Sequence, residues 1–388
     1  MKGSFRAAKA MNVDMSFDFY MPTRIISGRD AVKKNASLIA LGKKCLIVSG
    51  RNSARACGAL EDVTSALESV GVSWDVYDRI RENPLVSVCY EGGKFAREVG
   101  ADFIVAIGGG SPLDAAKAIA AYATNPDIEP LDIYSDKLAK PLPIVAIPTT
   151  AGTGSEVNYY SVLTIDTKNV KKTYKNSESY PKIAILDAKY TESLDRNYTV
   201  STALDAFCHC IEAYLSPKAT EISRAFAIQG GAKLYRVLGE LSNIADDENA
   251  VEAMKPYREE LLSAACAGGI TINTAGTGFN HPLGYNLTLY KGIPHGRACG
   301  AFMEEYVAYN KKHPEGARLI DEFTSAICND SPEKMASNIV SWSAVDVKLT
   351  AAEIDLYVEN VKGAGNYANS PYVINDDEKK AIYVKLFS

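Results

Sequence analysis

Short apolar runs recur along the first half of the chain, and each closes on a turn signal. KKCLIVSG, VSWDVYD, ADFIVAIGGG, LPIVAIPTT and KIAILDA carry four to six apolar residues apiece. Between several of them lie segments with helical spacing, such as ACGALEDVTSALESVG and VSVCYEGGKFAREVG. Strands alternating with helices predict a mostly parallel sheet covered on both faces. YSVLTIDTKNVKKTYKN interrupts the alternation and reads as an extra hairpin inserted after the fourth of these strands.

Beyond about residue 190 the period becomes helical, in VSTALDAFCHCIEAYLS, ATEISRAFAIQGGAKLYRVLGEL and YREELLSAACAGGITIN, and clear strand runs are absent until the C-terminus. The pattern therefore divides the chain into an α/β unit over residues 1–190 and an all-α unit over residues 191–388. A length of 388 residues fits two domains. TAGTG occurs at 150–154 and again at 274–278, but the flanks do not match, so it marks no repeat.

Composition narrows the class. Hydrophobic residues at 47% and charged residues at 23% are those of a globular protein. A net charge of −5 offers no basic footprint for nucleic acid. No apolar run approaches the roughly 20 residues that span a bilayer. The start, MKGSFRAAKAMNVDM, is basic but lacks the apolar core of a signal peptide, and reads either as a native extension or as an added leader. The eight cysteines are scattered without a CxxC, which fits reduced thiols in a cytoplasmic protein. Cys208 and Cys210 flank His209, but neighbours on a helix point about 100° away from it, so both read as small buried residues.

Two loops are candidates for phosphate binding. FIVAIGGGSPLDAAKA sets Gly108, Gly109, Gly110 and Ser111 between a strand and a helix opening at Pro112. Glycines allow close backbone approach, and the free N–H groups of a helix start suit an anion. Asp114 lies in the first turn, where it caps the helix or accepts from a ligand. This is not a G-x-G-x-x-G fingerprint. LPIVAIPTTAGTGSEV repeats the logic with Thr149, Thr150, Gly152, Thr153, Gly154 and Ser155 beyond the next strand, where α/β sheets usually bind ligands.

The metal candidate rests on three of the four histidines. Asp205 and His209 stand four apart on a mostly apolar helix, with Glu212 three further on. A buried acid and imidazole need a compensating partner, which a divalent cation supplies. His281 and His295, fourteen residues apart in GFNHPLGYNLTLYKGIPHGRACG, would complete one carboxylate and three imidazoles if that segment approaches. Such an oxygen and nitrogen set suits Fe(II), Zn(II), Ni(II) or Co(II). His313, in NKKHPEG, reads as solvated.

Taken together, GGGSPLDAAKA, IPTTAGTGSEV, LDAFCHCIEAY and HPLGYNLTLYKGIPHG, in that order, resemble the iron-containing (group III) alcohol dehydrogenases, and the likeness runs over nearly the whole chain. The resemblance implies a Rossmann-like α/β domain followed by an all-α domain, the dehydroquinate synthase-like architecture. It implies Asp205, His209, His281 and His295 as metal ligands, Fe(II) as the metal (Zn or Ni as alternatives), and a homodimer. It places the nicotinamide cofactor on residues 108–112 and 149–155, with Lys172 and Leu186 as further cofactor contacts. Many family members carry another histidine four residues after the first loop ligand, often assigned to proton relay. Here that position is Tyr285, which becomes the candidate for the role.

Family members that prefer NAD tend to place an acidic residue at the end of the first of these strands, for the ribose 2′-OH. Here CLIVSGRNSARACG has Gly50 there, followed by Arg51, Asn52 and Ser53, with Arg55 beyond. A 2′-phosphate meets no repulsion at such an end, so NADP(H) is expected over NAD(H). The expected reaction is hydride transfer between NADP(H) and a small primary alcohol or its aldehyde, with Phe279, Leu283 and Tyr285 lining an apolar pocket. Lys291 and Arg297 are the alternative anchors for an anionic substrate. The rival readings are a zinc- and NAD-dependent polyol dehydrogenase and a nucleotide-binding protein without turnover.

Overall fold

The computed structural model describes residues 16–388 apart from Asn169; the MKGSFRAAKAMNVDM stretch lies outside the described residues. Six strands build one parallel sheet: β1 (Arg24–Ser27), β2 (Lys44–Gly50), β3 (Ser73–Ile80), β4 (Phe103–Gly108), β5 (Ile144–Pro148) and, after a hairpin, β8 (Ile183–Leu186). Their order across the sheet is β1-β8-β5-β4-β2-β3. FIVAIG and IVAIP are buried along their entire length, as expected for parallel strands covered on both faces. Helices α1 (Ala59–Ser69), α2 (Val86–Glu98) and α3 (Gly110–Thr124) supply that cover. The alanine-rich α3 buries Ala115, Ala116, Ala118, Ala120 and Ala121. It begins two residues before Pro112, which sits inside its first turn.

Register decides where the loops go. β4 pairs with β2 (Cys45 with Phe103) and with β5 (Ile104 with Ile144). The connection from β2 runs outward to β3, whereas that from β4 runs the other way to β5. The crevice at such a switch point is where open α/β sheets bind ligands, and the glycine-rich loop after β4 lies there. YSVLTI (β6, Tyr160–Ile165) and VKKTYK (β7, Val170–Lys175) form the expected antiparallel hairpin.

From α4 (Arg196–Leu215) onward the described chain is helical: α5 (Glu221–Ser242), α6 (Arg258–Ala275), α7 (Asn280–Lys291), α8 (His295–Gly300) and further helices through Asp376–Phe387. One large apolar cluster runs through this half and reaches Ala184 and Leu186 of β8. The two halves touch at backbone level. Gly154, in the loop after β5, has φ +60°, and a Cβ there would lie 2.3 Å from the Gly269 Cα on α6, a contact that only glycine permits. No helix among the described residues is long and apolar enough to cross a membrane.

Candidate metal centre and cofactor cleft

α4 starts from a capped turn, with the Asp195 side chain accepting from Tyr198 N, and its residues from Ala203 to Leu215 are all buried. A helix apolar on all sides belongs in a core, which is why Asp205 and His209 are 4% and 5% exposed. The segment that carries His281 and His295 is largely helical. His281 lies in the first turn of α7 and is buried, while His295 opens α8. α8 can lie against α4 because residue 296 is glycine: a Cβ there would stand 1.8 Å from Ser201 O and 2.6 Å from Asp205 N.

These packings bring the four residues together. Asp205 Oδ1 lies 3.4 Å from His281 Nε2, 3.6 Å from His209 Nε2 and 3.8 Å from His295 Nε2. Four donors held at about 2.1 Å around one tetrahedral ion stand about 3.4 Å apart, so the spacing suits a shared cation. Asp205 Oδ1 and His281 Nε2 are buried with no hydrogen-bond partner of good geometry and face each other only as a charge pair at 3.4 Å, a place a bound cation would suit. The donor set fits Fe(II) or Zn(II).

Electrostatics favour ligand-ready forms at Asp205, His209 and His295. Burial would raise Asp205, but His209, His281 and His295 outweigh it and hold the carboxyl well below the usual carboxylate range. Burial pushes His209 down. It also pushes His295 down to about 3, reinforced by Lys171 and only partly opposed by Asp205. His281 goes the other way: burial is outweighed by Glu212 and Asp205, which lift it to about 10, so an ion binding at its Nε2 displaces a proton. Glu212 Oε2 lies 2.5 Å from His281 Nδ1, and its Oε1 accepts from Asn280 N at 2.9 Å. A carboxylate in this position fixes the ring and its tautomer. Glu212 is visible in the sequence as the next acid on the helix, but its partner lies 69 residues away.

The two glycine-rich loops also meet. A Cβ on Gly109 would lie 3.2 Å from the Thr150 side chain, and one on Gly110 2.6 Å from Thr153 Cγ2. Thr149 N donates to Gly108 O. Ser155 Oγ donates to Asp114 Oδ1 at 2.5 Å, and Asp114 Oδ2 accepts from Val162 N at 2.8 Å. Asp114 therefore neither caps its helix nor stands free; it ties α3 to the second loop and the hairpin. Ser111 Oγ accepts from Asn83 N, adding the loop after β3, which carries no glycine signal. Gly50, Arg51, Asn52 and Ser53 stand at the open end of β2, the last three exposed. Leu186 borders a small cavity of about 80 Å3 with Gly28, Ala188 and Leu262.

Other side chains named from the sequence have surroundings of their own. Lys172 is exposed, and its Nζ lies 4.2 Å from the Tyr134 ring centre. Its neighbour Lys171 faces the metal cluster, 5.1 Å over the Tyr285 ring, with burial holding its ammonium below the ordinary range. Side chains alternate along a strand, so a one-residue difference exchanges the two. Tyr285 stacks on His295 at 5.5 Å and 23°. Phe279 and Leu283 do not line a pocket with it; both are fully buried in the helical core, Phe279 against Tyr306 and Tyr309. Neither alternative anchor reaches the cluster: Lys291 pairs with Glu353 at 2.6 Å, and Arg297 donates to the Trp342 and Ser343 carbonyls that end a helix. Cys208 and Cys210 are buried free thiols, as expected, and His313 is exposed.

Comparison with known proteins bears on the family and the fold. The family model for iron-containing alcohol dehydrogenase matches residues 22–188, and that for the C-terminal part of the same family matches residues 199–351. Alcohol dehydrogenase 4 of Schizosaccharomyces pombe is 30% identical, the match covering 99% of this chain and 91% of that protein. The crystal structure of an iron-containing alcohol dehydrogenase from Thermotoga maritima superposes with a TM-score of 0.86 at 32% identity, covering 96% of this chain and 99% of the other. Sulfoacetaldehyde reductase from Bifidobacterium kashiwanohense, solved with NAD+, superposes with a TM-score of 0.84 at 26% identity over 96% and 99% of the two chains.

Proposed function

Because the chain belongs to the iron-containing alcohol dehydrogenase family, an oxidoreductase family acting on CH–OH groups, we propose that it interconverts a small primary alcohol and its aldehyde with NADP(H). In this reading residues 1–190 hold the dinucleotide, residues 191–388 hold the metal, the reaction takes place in the cleft between them, and the protein works as a homodimer. The observation that carries it is the convergence of three imidazole nitrogens on Asp205 Oδ1 within 3.8 Å.

Asp205, His209, His281 and His295 would hold the ion, with Glu212 orienting His281. A divalent ion there supplies Lewis acidity toward a substrate oxygen, and the nicotinamide gives or takes the hydride. The protein's share is positioning and electrostatics. The two loops would seat the pyrophosphate through their backbone N–H groups. The Tyr285 hydroxyl has no hydrogen-bond partner among the described residues, and burial keeps the phenol protonated well above neutral pH. It is therefore placed to donate to an oxygen beside His295. The preference for NADP(H) draws support from the end of β2, where Gly50 carries no acid and Arg51 forms no ion pair among the described residues. Arg55 stands nearby, 3.7 Å from Asp78.

The test is anaerobic purification, elemental analysis, and NADPH oxidation with butyraldehyde in the same sample. Near-stoichiometric iron with turnover, both lost in His295→Ala, is the expected result. Tight NADPH binding with neither metal nor turnover would overturn the reading.

A further inference from the structure

A cavity of about 540 Å3 lies where the start of α4 faces α8 and the end of a helix over Pro332–Ser343. It is not the metal site. Arg297 borders it, and residues two apart on a helix point about 200° from one another, so Arg297 leaves α8 on the face opposite His295. Three charged side chains border the cavity: Arg196, Arg297 and Asp246. Neither arginine forms an ion pair among the described residues. Instead Arg196 Nη2 donates to Leu241 O at 3.2 Å, and Arg297 Nη1 donates to the Trp342 and Ser343 carbonyls at 3.1 and 3.0 Å. These bonds hold both guanidinium groups in place and use one terminal nitrogen of each. Arg196 Nη1 and Arg297 Nη2 have no hydrogen-bond partner among the described residues, and the Nε atoms of both arginines are buried and also unpartnered. The two cations disfavour one another: burial and Arg196 hold Arg297 below its ordinary range, and Asp246 only partly opposes them.

We propose that this cavity binds a small phosphate-bearing molecule, its phosphate held by Arg196 and Arg297, at a site separate from the metal and the cofactor loops. Guanidinium forks match phosphate oxygens and stay charged at neutral pH. A carboxylate-free fork fixed by backbone carbonyls is already oriented for such a ligand, so little side-chain freedom is lost on binding. The volume falls within the range of about 300–1,000 Å3 of small-molecule sites, which leaves room for an organic group beside the phosphate. Trp342 and Pro294 give that group an apolar wall, while Asn197 and Asp246 offer acceptors for its hydroxyls. Neither the metal nor the cofactor is needed for binding here.

The test is a titration of full-length protein with inorganic pyrophosphate, followed by calorimetry and by tryptophan fluorescence. The chain has two tryptophans, and a Trp74→Phe background leaves Trp342 as the reporter at the cavity. A fluorescence change saturating at one equivalent is expected, with affinity about tenfold or more weaker in Arg196→Gln and in Arg297→Gln, the value of one charge-assisted contact. Because each arginine also closes a helix end, Ser341→Glu supplies a second comparison. Ser341 is exposed and borders the cavity, so its new carboxylate should weaken binding by a similar factor while both arginines keep their bonds. Heat without a change at Trp342, equal in the parent and in Ser341→Glu, would place the anion on the glycine loops and overturn the proposal. Absence of saturable binding, or a fluorescence change that all three substitutions leave intact, would overturn it as well.

Discussion

Glu212 and His281 form one buried unit across two helices: Glu212 Oε2 lies 2.5 Å from His281 Nδ1, and the Glu212 side chain is fully buried. The carboxylate accepts, so Nδ1 carries the hydrogen and Nε2 is turned toward Asp205. Glu212→Gln keeps the shape but weakens that choice of tautomer. We expect metal affinity to fall about 10–100-fold, measured by competition with a chelator of known strength, with the circular dichroism spectrum unchanged. Unaltered metal affinity would show that His281 is held by packing alone.

Tyr285 tests the donor role at His295. Loss of one hydrogen bond to the reacting oxygen costs on the order of 1–1.5 kcal/mol, or about tenfold in rate. Tyr285→Phe is therefore expected to lower kcat about tenfold while the ring still stacks on His295. An unchanged rate and pH profile would exclude the hydroxyl from the reaction.

Cofactor choice is expected to turn on Gly50. A Cβ there would meet Ile80 O at 3.4 Å and Ser53 Oγ at 3.6 Å, so the position accepts a side chain without displacing its neighbours. Gly50→Asp places a carboxylate where a 2′-phosphate would lie. The ratio of kcat/KM for NADPH over NADH should drop about 10–100-fold, the value of one charge-assisted contact. If wild type uses both cofactors equally, the premise is wrong.

Glu156 predicts a pH dependence of stability. Burial pushes its carboxyl from 4.5 up to about 7, against its own backbone N–H and Lys117. Between those values the folded chain holds a proton that the unfolded chain has released. The stabilisation is therefore fully present below about pH 4.5 and is lost as pH rises through about 7. Glu156→Gln removes the titration. Relative to wild type it should gain on the order of 2–3 kcal/mol between about pH 5 and about pH 8 in urea unfolding. A constant offset across that range would show that Glu156 does not titrate there.

Some of this site could be read one segment at a time. Asp205 and His209 are four apart on one helix, and Gly109, Gly110, Thr150 and Thr153 cluster just past apolar strands; such relations depend only on the period of the element that carries them. The same local logic misplaced Phe279 and Leu283, because an apolar residue beside a histidine does not reveal which side of its helix meets the core. Lys172 is named from the family resemblance and not from the local period; alternation along β7 places its neighbour Lys171 over the Tyr285 ring.

What the sequence by itself determined is the inventory and its spacing: the alternating strands and helices, two glycine loops, and an acid with three histidines able to bind a metal. Only the tertiary structure decided that α7 and α8 bring His281 and His295 to Asp205 and that Glu212 meets His281. These contacts join positions as much as 90 residues apart, such as Asp205 and His295. They exist because close packing of α4, α7 and α8, possible at a glycine such as Gly296, sets distances that no local period encodes.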